Sequence, residues 1–298
     1  MKKIAVIILF CLCSITPGIA QEWMTNLDVA KRLARVQNKM LFVMWEESTY
    51  YEFPVIFNDE KGITYYSDLF EDETVNAAVW EYFVPVILHE STYFDLFEEI
   101  EGKRSDKYVK KFQDDGIKIM DTNGYILNTG YFSYEPFDIA AFIVRYGLNT
   151  TFLKAQLSNY FQKRNFNTSL ALGSKYQDFA VLVDKKIRKE IIGLSAIYMN
   201  EALLLLEQES VDNSEGYRQR IELLALKGDL ILNKPRKVLR TLKKMEEASI
   251  NTLNESLFAF LHYTAYNLLE DETEADLWES KVSLVDLKKA EMITNINR

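Results

Sequence analysis

The hydrophobic pattern is sharpest at Lys39 to Pro54 (KMLFVMWEESTYYEFP), where the apolar run Met40 to Trp45 gives way at once to a polar and aromatic turn, Glu46 to Glu52. That order predicts a buried strand delivering a loop to a working edge. Before it, Thr25 or Asn26 caps a helix through Leu27, Ala30, Leu33, Ala34 and Val36, ending at Asn38-Lys39. After it comes a polar stretch containing Gly62, and Asp72-Glu73-Thr74 then opens a helix with Val75, Ala78, Val79 and Tyr82 on its apolar side. Phe83 to Leu88 reads as a second buried strand, placed at an end or edge of pairing by Pro85, which has no N–H to donate. A short charged helix is expected over Ser105 to Phe112 and a third strand over Ile117 to Met120. Asn123-Gly124 predicts a tight two-residue turn and Tyr125 to Leu127 a returning fourth strand. Pro136 is expected to open a helix carrying Phe137, Ala140, Ala141, Ile143 and Val144.

Beyond Asn149 the apolar positions recur at three and four, so the remainder is expected to be helical. The spacing predicts helices over Thr151 to Lys163, Thr168 to Leu182, Lys185 to Gln208, Gly216 to Leu232, Pro235 to Ala248, Thr252 to Leu269 and Glu272 to Lys288. Their short breaks suit antiparallel helical hairpins. Two pairs, turning at Asn233 to Val238 and at Glu270 to Ala275, resemble degenerate tetratricopeptide units. Val238 and Ala275 would be the small residues at the crossings, 37 positions apart (275 minus 238), near a period of about 34. A plain helical bundle accounts for the same periodicity. Repeat pairs usually offer a concave face to a protein or peptide; Phe258, Phe260, Tyr263 and Tyr266 are candidates for it, with core packing as the alternative reading, which His262 shares.

The first twenty residues change the picture of compartment. Lys2 and Lys3, the apolar stretch Ile4 to Cys13 and the small-x-small site Gly18-Ile19-Ala20 have the form of a secretory signal peptide. The expected organisation is therefore a signal over 1–20, a domain over 21–148 and an α-helical domain over 149–298. Both cysteines, Cys11 and Cys13, fall in the signal; small residues expected before a lipidated cysteine are missing at Phe10, Cys11 and Leu12, so a periplasmic or secreted protein, not inserted in a membrane, is expected. The formal charge of -9 becomes -11 once Lys2 and Lys3 are removed (33 basic against 44 acidic residues). A chain this acidic lacks the footprint of a nucleic-acid or anionic-membrane binder; its densest basic run, Lys234 to Lys244, reads as a solvated helix face.

Residues 22–147 resemble the secreted thioredoxin-like family. The resemblance rests on Trp23, the helix Asp28 to Asn38, KMLFVMW at Lys39 to Trp45, VNAAVWEYFVPVIL at Val75 to Leu88 and IKIMDTNGYIL at Ile117 to Leu127. It implies an α/β domain with a central mixed sheet flanked by helices on both faces. Redox members carry Cys-x-x-Cys after the first central strand, at a helix start that lowers the thiol pKa. Here Thr49-Tyr50-Tyr51-Glu52 stands in that place, and Asp115 or Gly116 stands where the family has its cis-proline. A threonine hydroxyl cannot replace the thiolate without an activating base, so redox activity is not expected.

The surviving feature is a groove. Trp45, Glu46, Thr49, Tyr50, Tyr51, Glu52, Asp115 and Gly116 are the candidate binding residues, the aromatic ones being types that anchor partners at low entropic cost; the alternative makes Trp45 and Phe53 core, with Tyr50 and Tyr51 covering them. Glu46, Glu47, Glu52 and Glu90, with His89, could instead form a carboxylate or cation site, although no calcium-loop spacing is present and a solvated acidic rim is the preferred reading. The expectation is a non-catalytic protein- or peptide-binding or scaffold module in a bacterial envelope, without cofactor or metal. A carboxylate-based hydrolase and a structural homo-oligomer are the alternatives.

Overall fold

The computed structural model describes residues 21–58, 62–130, 137–245 and 247–298. The expected signal segment, with Cys11 and Cys13, and Pro136 lie outside them. The chain divides into two compact units, Met1–Lys154 and Ala155–Arg298. The first is mixed α/β with small sheets and the second is helical.

In the first unit, α1 (Leu27–Gln37) starts where the Asn26 side chain accepts from the Val29 N–H and ends at Asn38, whose left-handed φ of 56° asparagine tolerates. Strand β1 (Met40–Trp45) follows and is buried along its whole length. The polar stretch expected next is instead an antiparallel hairpin, β2 (Pro54–Asn58) with β3 (Thr64–Asp68). Helix α2 (Glu73–Tyr82) is capped by Asp72, which accepts from the Thr74 and Val75 N–H groups, and leads into β4 (Phe83–Leu88). Two short helices, α3 (Tyr93–Glu98) and α4 (Asp106–Gln113), precede β5 (Lys118–Met120). The two-residue strand β6 (Phe137–Asp138) precedes α5 (Ile139–Tyr146).

The strands form two sheets, β4-β1-β5 and β3-β2-β6, rather than one. In the first, β1 runs parallel to β4 and antiparallel to β5, as a mixed sheet requires. Pro85 lies on the sheet's outer strand, and there Met24 supplies a short parallel stitch: its N–H donates to Pro85 O at 3.0 Å and its carbonyl accepts from Ile87 N–H at 2.8 Å. The return after β5 is shorter than expected, a single bridge between Met120 and Ile126. Gly124 alone of the Asn-Gly pair takes a positive φ (91°), because the Asp121 carboxylate holds the turn by accepting from the Asn123 and Tyr125 N–H groups. Phe137 leaves the expected helix to pair with Val55 of β2, and Asp138 caps α5 in its place. An aromatic core closes the unit: Phe42 of β1 meets Trp23, Phe83 and Phe142 at ring-centroid separations of 5.3, 5.5 and 5.8 Å, largely edge to face.

The second unit takes in most of α6 (Lys154–Gln162), then α7 (Phe166–Leu182), α8 (Lys185–Gln208), α9 (Ser214–Ile231), α10 (Pro235–Leu242), α11 (Glu255–Leu268), α12 (Glu272–Glu279) and α13 (Leu284–Asn295). The last expected helix is two, since Ser283 caps α13 through the Asp286 N–H and breaks the run. Val238 and Ala275 are both buried, as are Phe258, Phe260 and Tyr266, which therefore belong to the core. His262 is buried with them, stacked on Trp278 at 4.1 Å and edge-on to Phe258 at 4.8 Å, and its Nδ1 has no hydrogen-bond partner.

Burial holds the His262 pKa down to about 4, with Glu247 opposing and Lys243 and Lys281 adding to the shift. The unfolded chain, with histidine near 6.5, then binds more protons than the folded one between those values. Stability present above pH 6.5 is lost as pH falls toward 4, by about 2 kcal/mol after allowance for solvent screening. Thermal melts from pH 7 to 4 are expected to show this loss and His262→Phe to flatten it; equal pH slopes in the two proteins would refute the assignment.

Candidate functional site

Parallel pairing brings the C-terminal ends of β1 and β4 to one edge, where the Glu46 N–H donates to Leu88 O at 2.9 Å. Glu46 follows the first strand, and His89 and Glu90 follow the second. One ligand-type atom from each of Glu46, His89 and Glu90 lies within 4.8 Å of the others. Residues 43 positions apart in sequence thus form a compact polar cluster, as expected at the carboxyl edge of parallel strands.

Glu90 and His89 already have structural partners outside the cluster. A Glu90 Oε1 accepts from the Glu47 N–H at 2.8 Å, satisfying a donor at the start of the 3₁₀ turn Glu47–Thr49. The Thr49 hydroxyl donates to Glu46 O at 2.8 Å and closes the same turn. His89 Nδ1 accepts from the Ser91 N–H at 3.0 Å, with the Ser91 hydroxyl at 2.8 Å. A backbone N–H can only donate, so in the neutral ring the proton resides on Nε2, which faces Glu46 Oε2 at 3.4 Å. Metal ligation through Nε2 would require the opposite tautomer, with Nδ1 protonated against the Ser91 N–H. The cluster is therefore better suited to clasping two loops than to holding a cation.

The clasp displays the next residues. Tyr50 and Tyr51 are 70% and 76% exposed and do not cover the core. Desolvation, then the negative field of Glu46, Glu90 and Glu47, pushes the Tyr50 hydroxyl above its ordinary range. Glu52 is also exposed, and the segment runs into β2. The loop starts only the short 3₁₀ turn Glu47–Thr49 and no α-helix, and it contains no cysteine, so it lacks the helix-start thiol of a redox site.

Trp45, the last residue of β1, belongs to the core. It is 5% exposed, its Nε1 donates to Phe112 O at 3.0 Å, and it offers no contact surface. Near it lies Lys118, fully buried on β5 and not anticipated from the sequence, because a lysine in a short strand ordinarily reads as a solvent-facing position. Its Nζ stands 5.7 Å from the Trp45 ring centroid and donates to the carbonyls of Asp114 and Gly116, the latter at 2.9 Å. Burial pushes the ammonium down to about 8 against the opposing charge of Asp114. Gly116 is thus tied to Lys118, while Asp115 beside it is exposed. Trp45 and Gly116 are joined through Lys118; Glu46, Thr49 and Tyr50 are gathered with His89 and Glu90.

No family model, curated protein or solved structure matches this chain.

Glu90→Ala should leave the Glu47 N–H without its acceptor and speed its hydrogen exchange about tenfold, the equivalent of one modest hydrogen bond. Unchanged protection at Glu47 and Thr49 would show that the clasp does not hold the loop. Lys118→Ala strands two loop carbonyls and opens a cavity against Trp45, and is expected to cost about 3 kcal/mol in denaturant unfolding.

Proposed function

We propose that this chain is a non-catalytic protein of the bacterial envelope, secreted through its N-terminal segment, whose thioredoxin-like first unit lacks a redox centre and binds a protein or peptide partner. The mixed β4-β1-β5 sheet, with a helix in the β1-to-β4 crossover and an antiparallel return, supports the thioredoxin-like reading. The observation that carries the binding reading is the display of Tyr50 and Tyr51 on a loop clasped by Glu46, His89 and Glu90. Two tyrosines held outward on a fixed turn supply contact area at little ordering cost. The surrounding carboxylates of Glu46, Glu47, Glu52 and Glu90 favour a partner segment carrying lysine or arginine. No cysteine occurs beyond Cys13, so a chain processed after Ala20 has no thiol for disulfide exchange. The helical unit would provide a second contact surface of tetratricopeptide-like hairpins.

A carboxylate-based hydrolase is the competing reading, favoured by the convergence of Glu46 and Glu90. The commitment of Glu90 to the Glu47 N–H and of His89 to Ser91 weighs against it, since a general acid or base must be free to exchange protons with substrate.

Crosslinking in the native envelope followed by purification tests the proposal. Wild type should enrich one or a few envelope proteins, and Tyr50→Ala with Tyr51→Ala should reduce their capture about tenfold or more, as loss of aromatic anchors does. Recovery of background proteins alone, or equal capture by the double variant, would overturn it. Peptide or glycan fragments released by wild type and absent with Glu46→Gln would favour hydrolysis instead.

A further inference from the structure

The helical unit contains a cavity of about 500 Å³ whose walls come from α7, α9, α11, α13 and the turn Thr252–Asn254. Leu224, Leu253, Leu257 and Phe260 give it apolar walls. Its charged lining is Arg220, Lys227 and Lys289 against Asp286, an excess of cations that stands out in a chain of net charge -9. The size lies within the range of small-molecule sites, and the lining is more polar than is usual for them, with its charges converging beside the apolar wall.

Lys227 points to the ligand's chemistry. It is only 5% exposed, and its Nζ donates to Asp178 Oδ1 at 2.7 Å. An ammonium has three donors, and among the described residues Asp178 is its single hydrogen-bond acceptor. Its two remaining donors have no protein acceptor among the described residues, so solvent or a ligand in the cavity, which is open to solvent, has to accept them. Burial lowers the Lys227 pKa and Asp178 opposes that shift. Among the described residues Arg220 makes one hydrogen bond, from Nη1 to Leu253 O at 3.2 Å, and Lys289 stands 3.6 Å from Asp286. Counting Asp178 with the lining groups, three cations face two carboxylates. A cation would meet net repulsion here, and an uncharged apolar ligand would leave the Lys227 donors unmet.

We propose that this cavity binds a small organic anion, a carboxylate or phosphate headgroup on an apolar body. Lys227, Arg220 and Lys289 receive the headgroup, and Leu253, Leu257 and Phe260 cover the body. The site is independent of the tyrosine loop in the first unit and needs no catalytic step.

Isothermal titration of the purified full chain tests this with four probes: inorganic phosphate, phenyl phosphate, phenylacetate and benzyl alcohol. At least one of the two organic anions should bind, more tightly than inorganic phosphate and at least about tenfold more tightly than benzyl alcohol, as charge-assisted hydrogen bonds require. Which of them binds tighter identifies the headgroup. Arg220→Gln with Lys289→Gln, which leaves the Lys227–Asp178 pair intact, should weaken that binding about tenfold without lowering the melting temperature by more than a few degrees. If that variant fails to fold, Asp286→Asn decides: loss of a lining carboxylate should tighten anion binding. No heat with either organic anion, equal binding of benzyl alcohol, wild-type affinity in the folded double variant, or weaker binding by Asp286→Asn would each overturn the assignment.

Discussion

Strand β1 is buried on both faces and paired along both edges, and a six-residue apolar segment can be dehydrated in this way only if its backbone groups are met by neighbouring strands. That constraint fixes β4 on one side and β5 on the other. It calls α1 and α2 onto β4, and the Trp23, Phe83 and Phe142 rings onto Phe42. The parallel pairing with β4 has a chemical consequence as well, because two parallel strands must release their following residues at the same edge. Glu46 meets His89 and Glu90 for that reason, and the tyrosine loop inherits its position from the strand beneath it.

The two units solve their polar problems differently. In the first, buried or half-buried polar groups link loops to the sheet: Lys118 holds the Asp114–Gly116 turn, Asn128 bonds Ile119 N–H and Ile117 O, and Tyr108 accepts from Ile126 N–H. In the second they tie helix to helix. Glu201 of α8 accepts from Tyr160 of α6 at 2.8 Å and from Arg164, while Gln177 of α7 donates to Leu224 O of α9 at 2.7 Å. Such contacts specify which helix lies against which, a task that apolar packing performs loosely.

Much of the local structure was legible because its signals are local. Asn26, Asp72 and Ser105 mark helix starts as capping side chains, and the MLFVMW run marks a strand buried on both faces. The β2-β3 hairpin was not legible: Tyr65 and Tyr66 are both exposed, so β3 lacks the alternation of a half-buried strand. Phe137 reads as helical by spacing, and its pairing with Val55 is a contact between distant segments. The candidate site was legible in part. Glu46, Thr49, Tyr50 and Tyr51 are adjacent in sequence, whereas the roles of Lys118, His89 and Glu90 depend on strand pairing. The cavity of the helical unit was invisible, since its lining is drawn from helices scattered over the second half of the chain.

The Met24 stitch bears on the open edge of the first sheet. An outer strand such as β4 would otherwise present a row of unmet donors and acceptors that could template pairing with another chain. Met24 fills the row at Pro85 and Ile87, and Pro85 itself contributes no donor. Trp23 beside it packs on Phe42 and donates to Asn76 Oδ1 at 2.9 Å, so the covering segment is fastened by its neighbour. Residues outside every regular element therefore occupy part of an edge that would otherwise be open to pairing with another strand.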